Sequence, residues 1–315
     1  MRPRVYVDGH VGTTGLRIRE WMARRADVEL LTLPDELRKD TSARRERIVA
    51  ADLAVLCLPD DAAREAAQWV VTGRTRIIDA STAHRLTPGW VYGLPELETG
   101  RRTAIRQAQF VANPGCYSSA FILLLRPLID AGVVAATAPI TCHALSGYSG
   151  GGRQLIDKWE DPADGLRGLA YEAPYALDRV HKHIPEMVHY SGLHHEPYFE
   201  PAVGPFRCGM RVQVPLHADV VRPGRGRQIW DVLHERYRDE PFVRVMPMAV
   251  QPHERSFDPQ ACNDTNRIDL HVLPHPSGHV LLMAILDNLG KGAAGVAIQS
   301  LNLMLGFTET AGLPR

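Results

Sequence analysis

Cys116 stands in the run Asn113-Pro114-Gly115-Cys116-Tyr117, where a short apolar strand pattern gives way to a helical one. Behind it, Ala120, Phe121, Leu124, Leu125 and Leu128 recur at helical spacing, which places the cysteine in the first turn. There the helix dipole and the unpaired amides favour the thiolate, the form that attacks an acyl carbon. The bland reading of a single cysteine is a small buried side chain. That reading suits Cys57, inside an apolar strand pattern, and Cys142 and Cys208, also in strand patterns. Cys262 falls in a polar loop with no obvious partner. A thiolate attacking an acyl group needs a proton carrier nearby, and His181-Lys182-His183-Ile184-Pro185-Glu186 offers two imidazoles and a carboxylate that could orient or tune one of them. A surface helix end and a metal site are the competing readings. With 14 histidines in the chain and no cysteine or carboxylate at zinc-like spacing, no metal is expected.

A second constellation lies near the start, Gly9-His10-Val11-Gly12-Thr13-Thr14-Gly15. It follows the strand pattern Val5-Tyr6-Val7 directly and opens a helix whose Leu16, Ile18, Trp21 and Met22 can face a sheet. Small residues there let the backbone approach a pyrophosphate, whose charge rests on the exposed amides at the positive helix end. A glycine-rich turn can also be only a tight turn, but the strand–turn–helix setting favours a dinucleotide. The second strand ends Leu31-Thr32-Leu33-Pro34, and the acidic Asp35 and Glu36 come late and precede Arg38, Lys39, Arg44 and Arg45. Cations there suit the 2′-phosphate of NADP better than the ribose hydroxyl of NAD. The bland reading of such a run is a solvated helix face.

The elements that must position these groups follow two grammars. Over the first 115 residues, short β-branched runs alternate with helical segments: Val5–Val7, Val28–Leu33, Leu53–Leu58, Arg76–Asp79 and Phe110–Ala112 are the strand candidates. This is the pattern of a Rossmann-type, doubly wound parallel sheet. Further on, Cys208–Leu216, Ile268–Leu273 and Val280–Leu286 alternate apolar with other residues, as antiparallel strands with one wet face do. The fold expected is α/β, with the parallel sheet joined to an α+β substrate domain that has a mixed or antiparallel sheet. The Pro/Gly-rich stretch at 221–227 reads as a surface loop before a helix from about Gln228 to Tyr237. From Lys291 to Leu305 an amphipathic helix is expected to return to the nucleotide domain. The boundaries expected are 1–115 with 288–315 for that domain and 116–287 for the catalytic one.

Composition narrows the class. The 315 residues are 45% hydrophobic and 23% charged, with 36 basic and 36 acidic side chains, so no bulk field draws nucleic acid or anionic lipid. An anionic small molecule must be held by local groups. The start carries no signal-like apolar core, and no apolar run approaches the roughly 20 residues needed to span a bilayer. Five widely spaced cysteines argue against a disulfide framework. A reducing cytoplasm fits best.

Taken together, these residues resemble the N-acetyl-gamma-glutamyl-phosphate reductases of arginine biosynthesis, in their shorter, type 2 branch, within the aspartate-semialdehyde-dehydrogenase-like superfamily. The resemblance runs along nearly the whole chain. Its carriers are Gly12–Gly15, Asp79-x-Ser81 with Arg85-Leu86, Tyr92–Glu96, Asn113–Tyr117, Ser146-Gly147-Tyr148-Ser149-Gly150, His181–Glu186 and Asp287–Gly295. It implies that Cys116 attacks N-acetyl-L-glutamyl 5-phosphate to form a thioester, which NADPH reduces to N-acetyl-L-glutamate 5-semialdehyde. It implies that His183 or His181 handles the proton, supported by Glu186, and that Ser81, Arg85 and Asn113 form a phosphate clamp. It assigns Gly9, Gly12, Thr13, Thr14 and Gly15 to the cofactor, joined by Ser146, Gly147, Ser149, Gly150 and Asn288. It also implies a homodimer or homotetramer. The chain departs from the expected pattern at Gly151-Gly152, which extends the flexible loop, and at Ala83-His84, where the longer branch carries an acidic residue. An aspartate-semialdehyde dehydrogenase or a lysine-pathway acyl-phosphate reductase is the alternative enzyme. A non-catalytic NAD(P)-binding regulator is the alternative outside enzymes, though such a protein has no physical need to keep cysteine, histidine pair and loop together.

Overall fold

The computed structural model describes residues 2–221, 225–248 and 257–315, so residues 222–224 of the Pro/Gly-rich stretch lie outside the described residues. The chain divides into two compact units, Met1–Pro114 with Ala293–Leu313, and Gly115–Gly292 with Pro314–Arg315.

The first unit opens with β1 (Arg4–Asp8), α1 (Thr13–Met22), β2 (Glu29–Leu31), α2 (Thr41–Ala50), β3 (Leu53–Leu56) and α3 (Asp60–Gln68). It continues with β4 (Arg76–Asp79), β5 (Val91–Tyr92), α4 (Arg101–Gln107) and β6 (Phe110–Ala112). The strands form one sheet in the order β2-β1-β3-β4-β6-β5, parallel throughout. All four residues of β3 are fully buried, as a strand covered on both faces requires. At 53–58 the pattern runs two residues too far: the ladder ends at Leu56, and Cys57 turns its carbonyl toward Gly9. β5 is only two residues long and carries no periodicity that sequence reading could detect.

The second unit contains α5 (Cys116–Asp130), β7 (Thr141–Gly147), α6 (Gly152–Glu160), β8 (Ala173–Pro174), α7 (Ile184–Ser191) and β9 (Tyr198–Gly204). After these come β10 (Met210–Leu216), α8 (Ala218–Val221), α9 (Gly226–Tyr237), β11 (Val243–Val245), β12 (Ile268–Pro274) and β13 (Val280–Leu286). Its sheet has the order β11-β12-β13-β10-β7-β9-β8 and is mixed: β7 and β9 run parallel, as do β11 and β12, and the other pairs are antiparallel. α5 is the central helix. Tyr117 through Leu125 are all buried, and it packs on α7, α9, β10 and β13. Tyr237 of α9 donates its hydroxyl to the Leu123 carbonyl at 2.8 Å, joining the two helices by a buried hydrogen bond.

Residues 288–292, expected with the nucleotide domain, belong to this second unit, where the amides of Gly290 and Gly292 both reach the Asp287 carbonyl. The chain then enters α10 (Gly295–Met304), which packs on α4, β4 and α1 of the first unit. α10 is not amphipathic in the expected sense. All ten residues are buried, and its polar side chains find partners inside: Gln299 donates to Glu96 and Glu309, Ser300 to the Gly93 carbonyl, and Asn302 to the Glu309 and Ala311 carbonyls. Among the described residues no helix is long and apolar enough to cross a membrane.

Candidate active site

Cys116 is the first residue of α5, half-buried, with Gly115 as the N-cap in extended conformation and so no capping side chain. The positive end of the helix dipole at that turn favours an anion. Its surroundings within the second unit come from three segments. The first is α7, whose Glu186 is buried and accepts the Gly115 amide at 3.2 Å, tying the carboxylate to the residue before the cysteine. The second is the stretch that leads into α7. His181 and His183 are both buried, their rings 4.8 Å apart, and both pack against the ring of Tyr117 at 5.8 and 5.7 Å. The third is Gly292, where a Cβ would stand 2.8 Å from the Cβ of Cys116, so only glycine permits this approach.

Sequence reading missed two tyrosines of this cluster. The Tyr175 hydroxyl lies 3.2 Å from His181 Nε2 and donates to the Tyr117 hydroxyl at 3.3 Å. Burial pushes both phenols well above their ordinary range, so both remain protonated donors. The sequence signal was only proximity, since Tyr117 adjoins the nucleophile and Tyr175 precedes the histidine motif. His181 also accepts the His183 amide at Nδ1, at 3.2 Å. Both ring nitrogens of His181 are thus committed.

The loop at the end of β7 joins the same unit. Ser146 and Ser149 are buried, and the Ser146 hydroxyl donates to the Gly147 carbonyl at 3.1 Å. Asn288 accepts the Gly209 amide at 2.8 Å and donates to Ser149 Oγ at 2.9 Å, while a Cβ at Gly150 would stand 3.1 Å from Ser146 Oγ and 3.4 Å from Asn288 Nδ2, a tight fit. Gly147 packs against the Arg207 backbone so closely that a Cβ would overlap it. Ser146, Gly147, Ser149 and Gly150 lie within five residues of one another, and the distant Asn288 joins them through Ser149. Asn288→Ala removes both hydrogen bonds and leaves the buried Gly209 amide without its acceptor, so it should lower unfolding free energy by about 1–3 kcal/mol. The check is a lower urea midpoint at unchanged slope.

The glycine loop belongs to the first unit. Gly9 has φ +80°, and a Cβ there would overlap the Cys57 carbonyl; at Gly15 a Cβ would press on the Gly9 carbonyl and the His10 backbone. Gly12 caps α1 with no side-chain hydrogen bond. The backbone is thus exposed at the helix end, as a pyrophosphate site requires. The loop borders a cleft of about 430 Å3, with Arg38, Lys39 and Arg44 on one side and Cys57, Leu58 and Pro59 on another. Arg44, expected among the free cations, is instead buried and holds Asp8 through Nε and Nη2 at 3.1 and 2.9 Å. Arg38 and Lys39 are exposed. Gly9→Ala should cost at least about 1–2 kcal/mol for the left-handed backbone alone. The overlap with Cys57 adds to it, so the thermal midpoint should fall and dinucleotide binding should weaken together.

Ser81, Arg85 and Asn113 also lie in the first unit, gathered around buried Asp79. The carboxylate accepts the Ser81 amide at 2.9 Å and hydroxyl at 2.7 Å, its backbone carbonyl accepts the Asn113 amide at 2.7 Å, and Arg85 Nε donates to the Asn113 carbonyl at 3.0 Å. His84, noted as a departure from the family pattern, lies 2.6 Å from Asp79 through Nδ1 and stacks on Trp90 at 3.9 Å. The histidine thus partners Asp79.

The other cysteines divide differently from the expectation. Cys142 is a buried strand residue. Cys57 has left the ladder and borders the cleft; Cys208 precedes β10, half-buried, with its sulfur 3.4 Å from Ser149 Oγ. Cys262 lies in a turn, as expected, but is fully buried against Met283 and Ile285. Burial raises the thiol pKa of Cys57 and Cys142, and that of Cys262 up to about 11.

Residues 4–108 match the family described as semialdehyde dehydrogenase, NAD binding domain, and residues 116–288 match semialdehyde dehydrogenase, dimerisation domain. The sequence is 45% identical to an N-acetyl-gamma-glutamyl-phosphate reductase of Burkholderia orbicola, covering 98% of this chain and 99% of that protein. It is 44% identical to N-acetyl-gamma-glutamyl-phosphate reductase 2 of Nostoc sp., covering 99% of each. In three dimensions it is similar to aspartate semialdehyde dehydrogenase II of Vibrio cholerae, with TM-score 0.72 at 16% identity over 97% of this chain and 99% of that one.

Proposed function

The chain belongs to the N-acetyl-gamma-glutamyl-phosphate reductases, within the semialdehyde dehydrogenase family, and from that premise we propose that it catalyses the NADPH-dependent reductive dephosphorylation of N-acetyl-L-glutamyl 5-phosphate to N-acetyl-L-glutamate 5-semialdehyde, a step of arginine biosynthesis. The observation that carries this reading is the placement of Cys116 at the N-terminal end of α5, with both imidazoles packed on the neighbouring tyrosine.

The Cys116 thiolate attacks the acyl carbon; the carbon–oxygen bond to phosphate breaks, and the phosphate leaves with its electrons, giving a thioester. When bound, NADPH supplies the hydride that brings this acyl group to the aldehyde level. An imidazole protonates the oxygen of the resulting thiohemiacetal and takes the proton back as the carbon–sulfur bond breaks, which returns the thiolate. We assign this shuttle to His183, because both nitrogens of His181 are already engaged, one by the His183 amide and one by Tyr175. His181 is then a positioning residue. Glu186 fixes the N-cap of α5 through the Gly115 amide. Ser81, Arg85 and Asn113 are assigned to the departing phosphate, which arginine matches in shape and charge.

Gly9, Gly12, Thr13, Thr14 and Gly15 would hold the pyrophosphate; Ser146, Gly147, Ser149, Gly150 and Asn288 would hold the nicotinamide end. The exposed Arg38 and Lys39 on the cleft support NADP over NAD, since a 2′-phosphate needs cations. A homodimer or homotetramer is proposed from the matched dimerisation domain, and the cytoplasm from five cysteines in no disulfide.

The reverse reaction tests the assignment, with phosphate, NADP and either semialdehyde. Turnover should be far faster with N-acetyl-glutamate semialdehyde, and faster turnover of aspartate semialdehyde would transfer the chain to the other enzyme.

A further inference from the structure

We propose that His10 sets the preference for a 2′-phosphate by holding the Asp35 carboxylate away from the ribose edge; this rests on the NADP reading above. In a dinucleotide fold, a carboxylate just past the second strand accepts from the ribose 2′-hydroxyl and repels a phosphate at that position. β2 ends at Leu31, and Asp35 is the first carboxylate after it, opening a short 3-10 turn over Asp35–Leu37. By chain position it stands where an NAD-type site places its acid. Arg38 and Lys39, immediately after that turn, border the cleft.

His10 lies in the glycine loop and borders the same cleft, with only 6% of its surface exposed. Its Nε2 is 3.0 Å from Asp35 Oδ1, whereas the Asp35 side chain is itself 69% exposed. Burial therefore does not fix this carboxylate; the imidazole does. The hydrogen bond from His10, with the nearby charges of His10, Arg38 and Arg19, holds the carboxyl below its usual range, so it remains an anion. Arg44 is committed to Asp8. While His10 holds Asp35, the cleft presents the cations Arg38 and Lys39. Without His10 the acid is released to meet a ribose hydroxyl and to oppose a phosphate.

The test is isothermal titration of the whole chain with adenosine 2′,5′-bisphosphate and with 5′-AMP, which carry the discriminating group and no nicotinamide. The wild type should bind the bisphosphate at least ~10-fold more tightly. His10→Ala should reduce that ratio by roughly 10-fold, and adding Asp35→Asn should restore it to within about 3-fold of wild type. His10→Gln, which keeps a donor, should hold the wild-type ratio and guards against a loop that has merely collapsed. A His10→Ala protein with the wild-type ratio overturns the proposal. So does a loss that persists with Asp35→Asn, because His10 would then act on loop shape rather than through the acid. A wild type with no preference defeats the NADP reading itself, an outcome none of the variant results can mimic.

Discussion

Cys116→Ser should lower kcat by roughly 10^4-fold or more while the affinity for NADPH, read by fluorescence quenching, changes by less than about 2-fold. The asymmetry follows from where the residue sits. The sulfur belongs to the N-terminal turn of α5 in the second unit, whereas the glycine loop proposed for the pyrophosphate is built in the first. Serine fits the same volume and leaves the helix end intact, but a hydroxyl has no anionic form at neutral pH and makes a poor leaving group from the tetrahedral adduct. Alkylation gives an independent check. Burial drives up the thiols of Cys57, Cys142 and Cys262, which should react slowly, so iodoacetamide should modify Cys116 first and abolish turnover in step. Half-buried Cys208 is the control, and Cys208→Ser should leave the rate of inactivation unchanged. Full turnover after stoichiometric modification of Cys116 would remove the thioester from the mechanism.

Much of this arrangement was legible because it is local. The strand limits Arg76–Asp79, Phe110–Ala112 and Val280–Leu286 follow from runs of apolar residues bounded by polar ones, and Cys116 reads as helical from the stripe behind it. What escaped depends on pairing across distance. β5 exists because Val91 and Tyr92 find β6, not because two residues have a period. Cys262 looks solvated among Gln260, Asn263 and Asp264, yet Met283 and Ile285 of β13 cover it. α10 reads as amphipathic because Gln299, Ser300 and Asn302 are polar, but each is satisfied by a group that sequence spacing does not reveal. The basic run after β2 shows the same limit from the other side. Arg38, Lys39 and Arg44 look alike in the sequence, and only the fold shows that Arg44 belongs to Asp8.

The same distinction between a residue's type and its commitments underlies the proposed assignment within the histidine pair, which residue types alone leave open. His181 receives the His183 amide on Nδ1, so that nitrogen must carry a lone pair; the neutral ring then keeps its proton on Nε2, facing the Tyr175 hydroxyl. To carry a proton for the thiohemiacetal, His181 would have to break that contact, and Tyr175 in turn is engaged with Tyr117. His183→Asn should therefore cost about 10^2- to 10^4-fold in kcat, the usual contribution of a general acid and base, with the loss unrelieved across the pH range. His181→Asn should cost only about 10-fold, because its ring positions Tyr175 and the His183 backbone rather than moving the proton. Solvent isotope effects separate the two further. Removing the shuttle makes proton transfer limiting and enlarges the effect, while removing the positioning ring leaves it near the wild-type value. A larger loss from His181→Asn than from His183→Asn would reverse the assignment and make the Tyr175–His181 pair the proton route.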